Sequence, residues 1–222
     1  MSKSKRNVVD PEHIIARYGA DTARWFMISD TPPDRDIEWT EFGVEGAWRF
    51  TQKIWRLVDE AAPHLPPAGS PIPTLTGAGQ DLRKAAHLAI SAVTDDIEKF
   101  RFNRAVARIY ELSNAIAADD GDQGAARREA LEILAQLIAP MMPHLAEECW
   151  AALGHKTMLA HTNWPEADPQ LIRADLLTIT VQVNGKRRGE FSIAPGATPA
   201  SLESLALALE AVRKHMDGKP PR

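Results

Sequence analysis

Four long segments of the chain carry apolar residues at spacings of three and four, the period of an amphipathic α-helix. The first begins after Thr40, and its apolar stripe contains Val44, Ala47, Trp48, Thr51, Ile54, Trp55 and Val58. The others cover about 80–99, 102–118 and 125–139. Because each stripe must be buried against a neighbour, the chain is predicted to be mainly α, with an antiparallel four-helix bundle at its centre.

The two tryptophans of the first stripe are assigned to the core. An aromatic residue on an apolar stripe is far more often packed inside than used as a platform for a nucleic-acid base. Trp48 and Trp55 are therefore expected to be buried.

Short helices are expected before the bundle. Asp10 can accept hydrogen bonds from the free N–H groups of a helix that starts at Pro11, where proline is tolerated. Gly19 suits the left-handed end of that helix. Asp21 can cap a second helix that runs to about Ile28.

The C-terminal segment has the alternating pattern of a β-hairpin around Asn184-Gly185. Two registers are possible. A two-residue turn would place Ile179 opposite Glu190. A three-residue loop ending at Lys186 would place Ile179 opposite Phe191 on one buried face, which the alternation favours. A helix that Thr198 caps is then predicted to run to about residue 216.

Composition limits the possible functions. The net charge of −4 means that nucleic-acid binding would have to come from local basic clusters. The single cysteine, Cys149, excludes an intrachain disulfide and a thiolate metal site. His144 precedes Glu147 and Glu148 on one helical face, but no second histidine completes a zinc motif, so no metal site is expected. No run reaches the roughly 18 apolar residues of a membrane span, so we expect a soluble, cytoplasmic protein.

The opening residues carry the first recognisable motif. Met1-Ser2-Lys3-Ser4-Lys5, followed by Asn7-Val8-Val9-Asp10-Pro11, is similar to the lysine-bearing loop of class I aminoacyl-tRNA synthetases. Further matches in the same order lie at 18–24, 32–33, 36–39, 43–50, 102–105, 139–150 and 181–186. Two of them, Asp36-Ile37-Glu38-Trp39 and Val183-Asn184-Gly185-Lys186, favour the leucine branch. The chain thus resembles the C-terminal part of the bacterial-type leucyl-tRNA synthetases over essentially its whole length.

The resemblance implies a catalytic role for Lys3 and an ATP-binding role for Ser2, Lys3, Ser4 and Lys5. Activation of an amino acid expels pyrophosphate, and a lysine on a mobile loop can meet the charge that develops in the transition state. The family's two-histidine ATP signature, its editing domain and a further loop lysine are absent from this sequence. ATP with Mg is therefore expected to act in the full-length enzyme, with none bound to this chain, which is predicted to be inactive alone.

Two basic clusters are candidates for contact with tRNA. One is Lys186, Arg187 and Arg188, at the predicted hairpin tip. The other is Arg49, Lys53 and Arg56, on the polar face of the first long helix. Cations on an exposed surface can contact phosphates, which positions an RNA without reading its sequence.

The resemblance also gives three domains: 1–39, with the ATP loop and connecting helices of the catalytic domain; 40–172, an α-helical bundle for the anticodon stem; and 173–222, a truncated α/β domain for tRNA. The implied function is ATP-dependent leucylation of tRNA-Leu, together with catalytic and editing domains that this sequence lacks. The alternative is a standalone RNA-binding or assembly module. The open edge of the C-terminal sheet is expected to be poorly ordered or to pair with another chain.

Overall fold

The computed structural model describes residues 10–29, 32–36, 38–119, 124–173, 177–193 and 196–216. These residues form a mainly helical protein with a two-stranded antiparallel sheet, as the sequence predicts. The contacts between its residues divide the chain into two compact units, Met1–Ile172 and Arg173–Arg222. No helix in the described ranges has the length and apolar character needed to cross a membrane.

Unit 1, Met1–Ile172, is helical. Its α-helices are α1 Pro11–Tyr18, α2 Ala20–Ser29, α3 Glu41–Ala61, α4 Ala78–Glu98, α5 Phe102–Ala118, α6 Gly124–Ile138, α7 Pro143–Ala152 and α8 Pro169–Ile172. Two short 3₁₀ helices lie at Ala62–His64 and Leu159–His161. Unit 2, Arg173–Arg222, contains β1 Leu177–Val183, β2 Lys186–Ile193, α9 Pro199–Ala208 and α10 Glu210–Met216.

The core of unit 1 lies where the long helices meet. α4 packs against α5 and α6, α6 packs against α7, and α3 packs against α2 and α7. The apolar stripes of these helices supply fully buried side chains, among them Ile54, Ile109, Leu112, Ile116, Leu131, Leu134, Leu137 and Ile138. Removal of this apolar surface from water is the main favourable term in folding, and it fixes which face of each helix turns outward.

The buried face of α3 differs from the predicted stripe. Trp48 is 41% exposed and Trp55 is only half-buried, so the assignment of Trp48 to the core is wrong. Phe50 is buried instead, stacked on Trp25 with ring centroids 5.0 Å apart and against Tyr110 at 3.9 Å. At about 100° per residue, Trp48 lies at the edge of the apolar stripe. Trp25 of α2 and Tyr110 of α5 pack against Phe50, which lies at the opposite edge of the stripe.

Asp21 has a different role from the predicted one. It is the second residue of α2, and its carboxylate reaches the start of α7 rather than capping its own helix. The Leu145 N–H donates to Asp21 Oδ2 at 2.8 Å, and His144 Nδ1 lies 3.0 Å from Oδ1. The first N–H groups of a helix lack partners within it, so a carboxylate from another helix can cap them.

The hairpin combines features of both predicted registers. Its turn has two residues, Asn184 and Gly185, both with positive φ (53° and 75°), so the predicted three-residue loop is wrong. Ile179 nevertheless pairs with Phe191, as the three-residue register predicts. A β-bulge reconciles the two, because the register shifts near Val181 and leaves Arg188 without an opposite residue.

Candidate nucleic-acid interface

The outer face of α3 carries two exposed arginines one heptad apart, Arg49 and Arg56. Residues seven apart lie on the same side of a helix, and Phe42 occupies the preceding position of this row. Phe42 is 78% exposed, and the Arg49 guanidinium carbon lies 5.9 Å from the centre of its ring. An exposed row of one aromatic ring and two planar cations can meet both bases and phosphates.

The arginines of this face have no carboxylate partner among the described residues, unlike those within α4 to α6. The paired arginines of these helices are Arg83 with Glu129, Arg104 with Asp96, Arg108 with Glu111, Arg127 with Asp119 and Arg128 with Glu132, with N–O distances from 2.6 to 3.9 Å. An ion pair already occupies the donors that a phosphate would need. Arg49 and Arg56 therefore keep donors free for an anion.

Lys53 belongs to the same predicted cluster but has a different environment. Its Nζ donates to Ser113 Oγ at 3.2 Å and to Asn114 Oδ1 at 2.6 Å, both on α5. Burial lowers the pKa of Lys53 from its ordinary value. Its ammonium group thus ties α3 to α5, whereas the two arginines face outward.

A cleft of about 390 Å³ opens beside Arg49, between α1 and α3. Its lining residues are Arg17, Tyr18, Glu45, Trp48 and Arg49. The Arg17 guanidinium carbon lies 4.8 Å from the centre of the Tyr18 ring, and the Tyr18 hydroxyl is buried without a hydrogen-bond partner among the described residues. Arg17 is not among the residues singled out from the sequence, and Trp48 was assigned to the core, because nothing in their spacing shows that they border one cavity.

The hairpin tip is less uniformly basic than its sequence suggests. Lys186 is exposed, but the guanidinium of Arg187 pairs with Glu190 at 2.5 Å. Arg188, the extra residue of the bulge, is half-buried, and its Nε has no partner in the described part of the chain. Of the three cations, Lys186 is exposed and has no carboxylate partner among the described residues.

Two family comparisons account for most of the sequence. Residues 80–204 match the anticodon-binding domain of tRNA ligase, and residues 1–40 match the class I tRNA synthetases of the I, L, M and V group. The first match covers more than half of the chain. The chain belongs to the anticodon-binding domain family of the tRNA ligases.

Curated relatives of the chain include leucine–tRNA ligases. That of Parvibaculum lavamentivorans is 58% identical over all of this chain and 26% of its own length. That of Rhodopseudomonas palustris is 52% identical, again over all of this chain and 26% of its own length. The chain thus spans about a quarter of the curated relatives that it matches. The recognition of the leucyl-tRNA synthetases from sequence motifs is confirmed.

A solved structure supports the assignment of the chain to this family. The agnB2 LeuRS of Agrobacterium radiobacter K84, in its ternary complex with tRNA and LeuAMS, is 27% identical with a TM-score of 0.84. The similarity covers all of this chain and 29% of the Agrobacterium protein. The chain therefore shares its fold with part of a known synthetase.

The predicted ATP loop lies in the segment that matches class I synthetases. The described residues of the chain do not include its candidate ATP-binding residues Ser2, Lys3, Ser4 and Lys5. The first described element after them begins as predicted. Asp10 accepts a hydrogen bond from the Glu12 N–H at 3.0 Å, and Pro11 occupies the first helical position.

Two polar residues of α7, Glu147 and Cys149, have environments that the structure defines. Glu147 accepts hydrogen bonds from the N–H groups of Leu159 and Ala160 at 2.8 and 2.9 Å, so it caps a 3₁₀ helix. Burial, together with the charge of Glu148, raises the pKa of Cys149 to about 12, which removes its thiolate at neutral pH.

Proposed function

We propose that this chain is the tRNA-binding portion of an ATP-dependent leucine–tRNA ligase that acts on tRNA-Leu. The observation that carries the proposal is 58% identity to a leucine–tRNA ligase across the entire chain. Because the chain spans 26% of that relative, the leucine pocket, the adenine pocket and the editing site are assigned to other domains of a longer protein. The chain alone is expected to be inactive, and the longer protein is expected to act in the cytoplasm.

In this proposal the three segments have separate roles. Residues 1–39 supply the ATP loop and its connecting helices, and 40–172 supply an antiparallel four-helix bundle, made of α3 to α6, that lies against tRNA. Residues 173–222 supply a second tRNA contact at Lys186, Arg187 and Arg188. The strands of this last segment pair only with each other in the described ranges, which leaves backbone groups for a further strand of the longer protein or of another chain.

Lys3 is assigned the chemical role. ATP with Mg would bind in the longer protein, and the Lys3 ammonium would meet the negative charge that builds on the departing pyrophosphate. Ser2, Ser4 and Lys5 would hydrogen-bond or pair with the phosphates. In the longer protein, Lys3→Ala should lower leucine-dependent ATP–pyrophosphate exchange by a factor on the order of 10²–10³. ATP–pyrophosphate exchange catalysed by the isolated chain would contradict the proposal that activation needs the other domains of the longer protein.

The tRNA contact is tested through the salt dependence of binding. We expect the chain to bind a tRNA-Leu transcript weakly, with an affinity that falls steeply as salt rises, because phosphate contacts release counterions. Arg49→Ala and Arg56→Ala should each weaken binding and reduce the slope of log K against log salt by about 1. Filter binding at several salt concentrations measures both quantities.

Arg108→Ala is the matched control, since Arg108 is also on a helix surface but pairs with Glu111 at 3.0 Å. It should leave the slope unchanged. If all three variants behave alike, the α3 face does not contact RNA. Binding to unrelated RNAs with equal affinity would instead support a general RNA-binding or assembly module.

A further inference from the structure

We infer that the cleft between α1 and α3 binds one unstacked nucleotide of the tRNA, with Trp48 as the surface on which its base stacks. The inference rests on the proposed function, because it takes tRNA as the partner. It goes beyond that function by adding a base contact, at a defined site, to the phosphate contacts of Arg49 and Arg56.

The cleft has an exposed aromatic ring on its border. Trp48 lines the cleft and is 41% exposed, and Phe42, which lies on the same helix but does not line the cleft, is 78% exposed. Leaving large apolar rings in water costs on the order of 25 cal/mol for each Å² that burial would cover. A nucleobase has a flat π surface, so stacking on an indole ring removes that area from water whatever the base.

The cations of the cleft fit the phosphates on either side of such a base. Arg17 on α1 and Arg49 on α3 both line it, and neither has a carboxylate partner among the described residues. Each guanidinium already lies near an aromatic ring, Tyr18 for Arg17 and Phe42 for Arg49, which helps to fix its direction. Fixed planar donors suit phosphate oxygens, which accept two parallel hydrogen bonds.

One further polar side chain of the lining fits a ribose or a base edge. Glu45, the one carboxylate among the lining residues, would repel a phosphate but can accept from an amino group or a 2′-hydroxyl. The lining therefore combines groups for a base, a sugar and the flanking phosphates.

The size of the cleft selects a single nucleotide over a duplex. Its volume of about 390 Å³ lies at the small end of the range for sites that hold small organic ligands. Bases inside an RNA helix are stacked and cannot present a face to Trp48, whereas loops and bulges can. The occupant is therefore expected to come from an unpaired position of the tRNA.

The experiment compares variants of the whole chain for binding to a tRNA-Leu transcript across a salt series. Trp48→Ala should raise Kd by roughly tenfold without changing the salt slope, because stacking releases no counterions. Trp48→Phe should restore most of the affinity. Arg17→Ala should lower the salt slope by about 1, as a phosphate contact does.

Trp164→Ala is the matched control, since Trp164 is similarly exposed, at 38%, and does not line this cleft. If Trp48→Ala and Trp164→Ala bind alike while Arg49→Ala still lowers the slope, the nucleotide site is refuted and the proposed function stands. If the unaltered chain binds no tRNA, both fail. Circular dichroism of each variant establishes folding, and Arg17→Ala, on an exposed helical surface, keeps the test open if Trp48→Ala unfolds.

Discussion

The two compact units of this chain bury their apolar residues to very different extents. In unit 1, α5 and α6 each contribute several fully buried side chains. These side chains form a continuous core with buried residues of α3, α4 and α7. In unit 2, Val212 of α10 is the one buried apolar residue among those described. A hairpin covered by two short helices removes little surface from water, so its stability is expected to be marginal.

The polar contacts of the two units differ in the same direction. Side-chain bonds in unit 1 join distant parts of the sequence, such as Trp25 to Tyr110 and Lys53 to Asn114. In the described part of unit 2, side-chain bonds connect residues no more than five positions apart, such as Arg187 to Glu190. Local bonds form without a tertiary fold, whereas distant ones require it. Unit 1 is therefore expected to unfold cooperatively, and unit 2 to open more readily.

The largest expected effect comes from a cavity in the core of unit 1. Leu134→Ala removes a side chain of α6 that is fully buried, which should lower the free energy of unfolding of unit 1 by about 2–5 kcal/mol. Hydrogen exchange followed separately over 124–138 and 177–193 measures the effect in each unit. Leu205→Ala is the control, because Leu205 of α9 is 39% exposed and should cost far less. Equal losses from the two variants would remove the contrast between the units.

A smaller effect is expected in unit 2. Val212→Ala removes two methyl groups from its one buried apolar residue in the described ranges, a loss of about 0.8 kcal/mol for each group. Because unit 2 has little stability to lose, exchange over 177–193 should approach that of an unfolded peptide while 124–138 stays protected. Protection of the hairpin in Val212→Ala would mean that contacts other than this core hold it.

The smallest expected effect is a loss of stability in unit 1 as pH falls. Burial alone would raise the pKa of Glu129, but hydrogen bonds from His87 and Arg83 outweigh it and hold the pKa below its ordinary value of 4.5. A carboxyl whose pKa falls on folding stabilises the folded state above its unfolded pKa. That contribution is lost as pH falls through the folded pKa.

Thermal unfolding of unit 1 measured from about pH 6 down to about pH 3 should therefore show a loss of stability that is smaller in Glu129→Gln. The glutamine keeps the size of the side chain and an acceptor but does not titrate. Identical pH profiles for the two proteins would assign the acid sensitivity to other carboxylates. No matching change is expected over 177–193.

The sequence alone determined the helices and the family. Helical periodicity is a local property, so the segments predicted at about 80–99, 102–118 and 125–139 correspond to α4, α5 and α6. Asp10 and Pro11 likewise predicted the start of α1, because a cap depends on residues two or three positions away. Short motifs in a fixed order identified the leucyl-tRNA synthetases, since they need only residue identity and spacing.

The tertiary structure decided which surfaces those helices present. A stripe at the helical period can turn either edge to the core, and contacts of Phe50 with Trp25 and Tyr110, not the spacing of α3, left Trp48 in solvent. The cleft is lined by Arg17 of α1 and Trp48 of α3, which are brought to one site by the packing of the helices. Asp21 accepts a hydrogen bond from an N–H group of α7 that lies 124 positions away in the sequence. Spacing along one element carries no information about residues that come together only when elements pack, so these contacts could not be predicted from the sequence.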